Sequence, residues 1–556
     1  MDARPLLRGV FLLLLLPAPV PAPCFTATRS ECSKHKAFVP GTELAGEGID
    51  VTSLKRSGSF PVDTRPYLRP DGTCTLCRNA LQKGAPQRLP LALTYWRAHA
   101  QGCQHKVAQV KLSSTEDVAH DTASTIKNNW KVGLEVSPRP GMKASVTMAG
   151  SHAQATNFAA SKAHQDRYQF SRDEVQCSFY HFRLVHAPPL HPEFKKALRM
   201  LPPYFNSSSE PDYLRFISSF GTHFIQSMEL GGRILALTAL RTCQLALSGL
   251  LANEVEDCLQ VEAEASIGIP VSAIAGYKKC EETKKQHKIT NAFHQTYRER
   301  YTEVSGGNHS TWHDLLFGKE AGANHFSAWM SSLTHSPDLL DYSLEPLHML
   351  LRSQDPRQNA LKAAVSKYIL DKARWRDCSR HCPNGQHKSS KDPCQCTCQA
   401  SSAYNRDCCP RKAGMANLEV MNLRAHGLYG DWITATDAYL KVFFGGQEQR
   451  TATIWNNNNP QWAGKLHFNN VLLATGGPLR VQVWDADYGW DDDLLGTCDY
   501  QAKSGKHDVS CHLSHGSLHF SYNATCLSHL SGDTCMDYSP HGLLGEPPGN
   551  RSGAVW

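Results

Sequence analysis

Five carboxylates crowd into the stretch Asp485-Ala486-Asp487-Tyr488-Gly489-Trp490-Asp491-Asp492-Asp493, with two large aromatics among them. Like charges at that density repel one another unless a cation sits among them. A set of oxygen ligands suits a hard cation, and calcium is the natural choice. Tyr488 and Trp490 do not belong on a free soluble loop, because such rings prefer the boundary between water and an apolar phase. The residues therefore read as a calcium-dependent membrane-docking tip. Protons compete with calcium for carboxylate oxygens, so acid should weaken binding. The expectation is a protein inert in an acidic, calcium-poor store and active at neutral pH. The 27 histidines add groups that titrate in that range, although most serve ordinary surface or packing roles.

The elements around this tip are short and β-rich. Leu440-Lys441-Val442-Phe443-Phe444 precedes Gly445-Gly446, and Leu479-Arg480-Val481-Gln482-Val483-Trp484 follows Gly476-Gly477-Pro478. This is the pattern of an antiparallel sandwich, which can bring loops to one end. Asp431 and Asp437 precede the first strand; Asp485, Asp487 and Asp493 follow the second. With Asp437-Ala438-Tyr439-Leu440-Lys441-Val442, Asn459-Pro460-Gln461-Trp462 and Trp484-Asp485-Ala486-Asp487 running to Asp493-Leu494-Leu495-Gly496, the segment resembles the C2 domain. That is the calcium-dependent phospholipid-binding sandwich. The resemblance implies calcium ligands at Asp431, Asp437, Asp485, Asp487 and Asp493; Asp491 and Asp492 are either further ligands or solvated charges. Tyr429, Trp432, Tyr488 and Trp490 flank the ligands as lipid-entering rings, with packing on the sandwich as the alternative.

Cysteines draw the other boundaries. All 20 follow the N-terminal apolar run, an even number that suits disulfides. Cys378, Cys382, Cys394, Cys396, Cys398, Cys408 and Cys409 crowd into a segment too short to bury a core, so it must be stapled. Zinc is the rival for clustered cysteines, and an oxidising compartment disfavours it. The segment resembles an epidermal-growth-factor-like module, whose pairing implies Cys378–Cys394, Cys382–Cys396 and Cys398–Cys408. Cys409 is left over, and the region before the module also holds an odd number. A bridge between the two is expected, with Cys243 the first choice and Cys258 and Cys280 among the others. Cys74-x-x-Cys77 reads as two structural bonds with Cys24 and Cys32 rather than a redox pair.

Arg4 and Arg8 precede the apolar run Val10–Leu16, with cleavage expected after Ala22: a signal peptide, too short to span a bilayer. Asn206, Asn308, Asn523 and Asn550 are glycosylation acceptors on the secretory route. A glycan on Asn550, in the tail after Cys535, is expected to block assembly until the tail is trimmed. The formal charge of +7 permits attraction to an anionic membrane and gives no reason to expect nucleic acid.

The large N-terminal region carries Phe220-Gly221-Thr222-His223-Phe224, then Gly231-Gly232. This resembles the signature of the membrane-attack-complex/perforin family. The glycines permit tight bends where a sheet hinges. His223 has no nucleophile or carboxylate at diagnostic spacing and reads as structural. Two period-two amphipathic runs accompany the motif. Val132, Leu134 and Val136 continue after Pro138-Arg139-Pro140-Gly141 as Met142, Ala144, Val146 and Met148; Leu259, Val261, Ala263, Ala265, Ile267 and Ile269 form the second run. An 11-residue run spans roughly 36 Å at about 3.3 Å per residue, enough for a ~30 Å hydrocarbon layer. Half-buried strands of a soluble sheet are the alternative. Ser151–Arg172 and Ser272–His287 read as helices. The family resemblance implies that these clusters unwind into two β-hairpins, with return strands near Val175–Val185 and Ile289–Val304. Such hairpins leave unsatisfied edges in lipid unless many subunits close a barrel, so homo-oligomerisation follows.

The expected architecture is α+β and multidomain: signal peptide 1–22; a bent antiparallel sheet with flanking helical clusters over 23–376; an EGF-like module over 377–410; an all-β C2 sandwich over 411–536; and a tail over 537–556. This module order resembles the cytolytic pore formers of the family. It implies storage in acidic secretory granules, release at an immune synapse, and a pore in the target-cell plasma membrane that admits granule proteases. The rivals are a non-lytic calcium-dependent adhesion or signalling protein and a lipid-cleaving enzyme. For the latter the chain offers no Gly-x-Ser-x-Gly elbow or metal-hydrolase motif.

Overall fold

The computed structural model describes residues 24–99, 107–137, 144–308, 315–317, 322–378, 381–382, 386–390, 394–430, 434–487 and 491–540. The signal-peptide run and Asn550 lie outside the described residues.

Two long strands carry the large domain. In chain order its eight-stranded sheet comprises β1 (Gly48–Asp50), β2 (Lys55–Arg56), β3 (Leu93–Ala98), β4 (Ala108–Leu112), β5 (Tyr168–Leu184), β6 (His223–Arg241), β7 (Arg300–Ser305) and β8 (Asp338–Pro346). β5 and β6 pair antiparallel from Ser227↔Arg183 to Arg241↔Tyr168. β3 and β4 both pair with β5, one toward each end; β8 and β7 do the same on β6. The Ile234–Leu240 run of β6 is buried on both faces, which explains its unbroken apolar sequence. Tyr180, Phe182, Phe224, Ile225, Trp329 and Ile369 belong to the core that covers the sheet.

The sheet changes partner at Gly231-Gly232. Below it β6 pairs with β8, above it with β7; the β5 ladder shifts register between Leu230 and Gly231, and the β8 ladder just before, between Met228 and Leu230. A Cβ on Gly231 would stand 1.8 Å from the Cys177 carbonyl oxygen; one on Gly232 would stand 2.3 Å from Leu333 Cδ2. Bulges bend strands, and these two positions let a neighbouring strand and the Ala323–Ser332 helix close on the bend.

Two helical insertions interrupt the strand pairs. Between β4 and β5 lie α1 (Thr115–Ala123) and α2 (Gln154–Ala163). After α3 (Glu210–Phe220) and β6 come α4 (Ala252–Ser266) and α5 (Tyr277–Gln286), before β7. Here the structure corrects the period-two reading. Leu259–Ser266 is helical, because the same sequence also places Val255, Cys258, Leu259 and Ala263 on one buried helical face. Lys131–Ser137 has no regular structure, and Ala144–Thr147 is a short strand paired with Arg374–Asp377. Pro138 to Lys143 fall outside the described residues. The expected return strand at Val175–Val185 is instead part of the central β5, and within Ile289–Val304 regular strand begins only at Arg300. Helix in Ser151–Arg172 is confined to α2. No described helix is long and apolar enough to cross a membrane.

The small module is held by Cys378–Cys394, Cys382–Cys396 and Cys398–Cys408, and Cys243–Cys409 ties it to the segment after β6. Cys24 bonds Cys77, Cys32 bonds Cys74, and Cys258 bonds Cys280. Arg167 donates to the Cys396 carbonyl at 2.9 Å, adding a polar strut to the covalent one. The C-terminal unit is two four-stranded antiparallel sheets. One runs Leu466–Leu472, Met415–His426, Ser517–Cys526, Gly505–His512; the other Gln447–Arg450, Ala438–Phe444, Leu479–Asp485, Asp493–Tyr500. Alternate residues such as Leu418, Val420, Leu440, Val442, Val481 and Phe520 fill the space between them.

Candidate functional site

Three neighbouring strands end together at one end of the sandwich. Ala438 pairs with Asp485, and Asp485 with Asp493, so Asp437, Asp485 and Asp493 lie at one level. Asp485 is only 2% exposed. Its Oδ1 accepts the Asp437 N–H at 2.6 Å, and Asp437 Oδ1 accepts the Asn456 N–H at 2.6 Å. These bonds fix both carboxylates on the rigid strand ends. A Cβ on Gly430 would stand 1.6 Å from Asp485 Oδ2, so only glycine lets the preceding loop lie against that oxygen. Hard oxygen donors from several loops, with backbone pressed onto one of them, fit a calcium ion.

The remaining carboxylates are unequal. Asp492 accepts the Tyr439 hydroxyl at 2.6 Å and the Asp487 N–H at 3.3 Å, so it is not a loose solvated charge: it braces the loop, and each oxygen keeps a lone pair with which to ligate a cation. Burial, then that bond, push the Tyr439 hydroxyl up to about 12. Asp491 and Asp493 are exposed. Asp431, Trp432, Tyr488 and Trp490 lie outside the described residues. Among the described residues no three potential metal-ligating side chains form a group. Tyr429 is 47% exposed and stacks on His515 with ring centres 6.2 Å apart.

One residue escapes the sequence reading. Trp455 is 57% exposed and stands next to Asn456, whose N–H holds Asp437. A bare Trp beside a run of four asparagines is the same signal that singles out Trp490.

His223 is fully buried. Its Nδ1 meets Thr222 Oγ1 at 2.8 Å and its Nε2 meets the Trp130 carbonyl at 2.9 Å. Burial lowers its pKa to about 4, so the ring is neutral at physiological pH. With Nε2–H on the carbonyl, the neutral ring accepts the Thr222 hydroxyl proton at Nδ1, and Thr222 Oγ1 in turn accepts the Val51 N–H at 3.0 Å. Gly221 has φ +80° and its Cβ position is blocked by Ile49. Phe220 and Phe224 lie in the core. The motif joins β1, β6 and the Trp130 segment; it does no bond chemistry with the groups around it.

The second helical insertion is fastened by polar contacts. Lys111 of β4 reaches Glu256 at 3.3 Å and Asp257 at 3.0 Å, and Gln109 donates to the Glu256 carbonyl at 2.6 Å. Glu262 accepts the N–H groups of Phe293 and His294 at 2.8 and 2.9 Å. The apolar face of the insertion is held as well: Val255, Cys258, Leu259, Val261 and Ala263 of α4 are buried in the core. Of the glycosylation acceptors, Asn206 and Asn308 are exposed, and Asn523 is half-buried on the outer face of its strand.

Comparison with known proteins agrees with this architecture. Residues 38–377 match the MAC/Perforin domain, residues 377–411 a Perforin-1-like EGF domain, and residues 416–515 the C2 domain. The chain is 65% identical to Homo sapiens Perforin-1 over 556 residues, covering 100% of both chains. It is 62% identical to Mus musculus Perforin-1, covering 99% of both. Complement component C6 of Bos taurus is 24% identical over 79% of this chain and 45% of its own length. The chain belongs to the MAC/Perforin family.

Proposed function

We propose that this protein is a calcium-triggered, cytolytic pore former. Its C2 sandwich docks on the phospholipid of a target cell, the docked subunits oligomerise, and each inserts two β-hairpins into a closed barrel. One observation carries the reading. The β4–β5 pair stops at Leu112↔Phe170, the β5–β6 pair at Arg241↔Tyr168, and the β6–β7 pair at Thr238↔Arg300. All three ladders break off at one end of the sheet, and both helical insertions fill the gap there. Each insertion contains a run that alternates apolar and polar residues. Finished ladders thus lead into segments able to continue them. Closing the resulting strands into a ring removes the edges that lipid cannot satisfy.

Asp437, Asp485, Asp487 and Asp493, with Asp431 from outside the described residues, would hold calcium, and Asp491 is an exposed further donor. When bound, calcium cancels the local negative charge and offers coordination to lipid phosphate oxygens. The chain's own contribution is to hold Asp437 and Asp485 on strand ends and to present Tyr429, Trp432, Trp455, Tyr488 and Trp490 toward the bilayer. Acid protonates the ligand set and so keeps the protein inert during storage in acidic secretory granules. The pore admits granule proteases to the target cell. The open Asn206 and Asn308 sites suit a secreted glycoprotein.

Phosphatidylcholine vesicles loaded with dye test this. Release should require calcium, rise steeply with protein concentration, leave the lipid uncleaved and disappear at pH 5. Binding without release would instead indicate an adhesion protein; cleaved lipid would indicate an enzyme.

A further inference from the structure

We propose that the Cys258–Cys280 disulfide is a register staple of the second membrane hairpin, carried unbroken from a helix pair to a strand pair. The proposal rests on the pore-forming reading above. It comes from the ladder that already exists. β6 pairs with β7 from Arg233↔Ser305 to Thr238↔Arg300 without a slip. Twenty residues on from Thr238 and twenty back from Arg300, that same register sets Cys258 opposite Cys280. These two cysteines already bridge α4 and α5, with Cα atoms 5.5 Å apart. An opposed pair in an antiparallel ladder has a Cα spacing of about 4.5–5.5 Å. The bridge therefore fits both states and needs no reductant. A register one residue away would throw the two side chains onto opposite faces and forbid it.

The staple also fixes the turn. Nine further residues on each side bring Ile267 opposite Val271, leaving Gly268-Ile269-Pro270 as a three-residue loop. Gly and Pro are turn residues, and Gly268 already has φ +92°. The opposed pairs Ile267–Val271, Ala265–Ala273, Ala263–Ala275 and Val261–Tyr277 are then apolar on both strands. The bridge lies on the other face, with Gln260, Glu262 and Glu264, toward water. From Leu259 to Ile267 the apolar face runs about 30 Å, the height a membrane strand needs. The return strand thus begins at Val271, well before Ile289.

Two other ladders agree independently. Extended by twenty residues from Arg241↔Tyr168, the β5–β6 register sets Met148 opposite Val261; extended by twenty-two from Leu112↔Phe170, the β4–β5 register sets Leu134 opposite Met148. Leu134, Met148, Val261 and Tyr277 form one rung; Val136, Val146, Ala263 and Ala275 form the next in that phase. The rung between them, Glu135, Thr147, Glu262 and Gly276, faces the other way. Three registers observed in the folded chain thus place every apolar run on a single face.

The test uses the full-length protein, calcium and phosphatidylcholine vesicles, with a membrane-impermeant maleimide present throughout. Oligomers recovered from leaking vesicles are digested and mapped. The expected result is an intact Cys258–Cys280 cross-linked peptide, no maleimide on either cysteine, and full release without reductant. Open or alkylated cysteines in the pore, or release that waits for reductant, would overturn the staple and leave the pore reading standing. Absence of any release from the unmodified protein would overturn the pore reading itself. Vesicles containing bromolipid then test the register. Fluorescence of Ala275→Trp should be quenched and that of Ile274→Trp spared, although isoleucine is the more apolar native residue. The reverse pattern refutes the phase. A Cys258→Ser/Cys280→Ser variant that still binds vesicles should release dye about tenfold more slowly, because closing its 22-residue loop is no longer done in advance; an unchanged rate counts against the staple.

Discussion

The C2 tip and the insertions of the large domain, the two regions proposed to meet the membrane, are built in opposite ways. At the C2 tip the scaffold is complete, and the proposed calcium ligands are a few carboxylates at strand ends, with Asp485 buried to 2% exposure and bonded to Asp437. In the large domain the scaffold itself is unfinished. Ladders stop at Leu112, Arg241 and Arg300, and the described residues that would continue them are wound into helices, lack regular structure or, at Ala144–Thr147, pair with Arg374–Asp377 instead. On the proposed function, the first region acts without changing fold, whereas the second must change fold to act. That difference predicts which substitutions separate docking from insertion.

The largest effect should come from the tip. Asp485→Ala removes a central oxygen donor and the partner of the Asp437 N–H. Calcium-dependent vesicle binding and lysis should both fall more than about 100-fold, exceeding the 10–100-fold that a supporting partner is worth. Circular dichroism and the thermal transition of the large domain should be unchanged. If lysis survives, docking and insertion are not in series.

Ala275→Arg addresses the other side of the comparison, at a position exposed in the soluble fold and on the proposed lipid face of the hairpin. Arginine on the lipid face of a membrane strand costs about 2–4 kcal/mol at mid-bilayer, and every subunit in the ring carries it. Dye release should vanish while vesicle binding stays within about twofold. Loss of both would mean that the helix pair contributes to docking.

Gly231→Ala sharpens the comparison by breaking the scaffold that the insertions leave behind. Its Cβ would stand 1.8 Å from a backbone oxygen, so β5 or β6 must shift. Overpacking costs roughly 1–3 kcal/mol, and more where backbone is the obstacle. The first thermal transition should drop, with calcium-dependent binding by the sandwich retained. A single cooperative loss of both would show the two domains to be energetically one.

The same contrast explains what the sequence reveals. The multidomain α+β architecture is legible because each module announces itself locally: a carboxylate-rich loop between alternating strands, crowded cysteines, and Gly-Thr-His-Phe before Gly231-Gly232. The conformation of the insertions is not. Leu259, Val261, Ala263 and Ala265 alternate as a strand would, yet Val255, Cys258, Leu259 and Ala263 also make a helical stripe, and tertiary packing against the sheet selects the helix. The sequence satisfies both periods, as the proposed change of fold requires, so neither period decides. Asp492 illustrates the opposite limit. Its role as a brace depends on the Tyr439 hydroxyl, fifty-three positions away, which no local pattern contains.

The smallest effect is a pH dependence of the soluble form, and it lies at the seam between the finished and unfinished parts. Asp173 on β5 is buried, with Gln109 donating to Oδ1 at 3.0 Å and Oδ2 lacking a hydrogen-bond partner. Burial raises its pKa to about 7; the Gln109 bond and the charges of Arg300 and Arg172 oppose the shift, and Glu256 of α4 adds to it. A folded-state pKa above the unfolded one, near 3.9, means that stability is fully present below about pH 4 and is lost as pH rises through about 7. Ionisation therefore places a second negative charge beside Glu256, where Gln109 also holds α4. Between pH 5 and pH 7.4 the loss amounts to about 2 kcal/mol by linkage. Asp173→Asn should remove this downward component, so that the melting temperature of the calcium-free protein rises from pH 5 to pH 7.4 more steeply than in the unmodified protein, because buried His223, with its pKa near 4, contributes a slope of the opposite sign. The calcium response at neutral pH should be untouched, because no C2 ligand is involved. An unchanged slope would assign the pH dependence elsewhere; a vanished calcium response would show that the seam and the tip, which the structure keeps apart, are coupled.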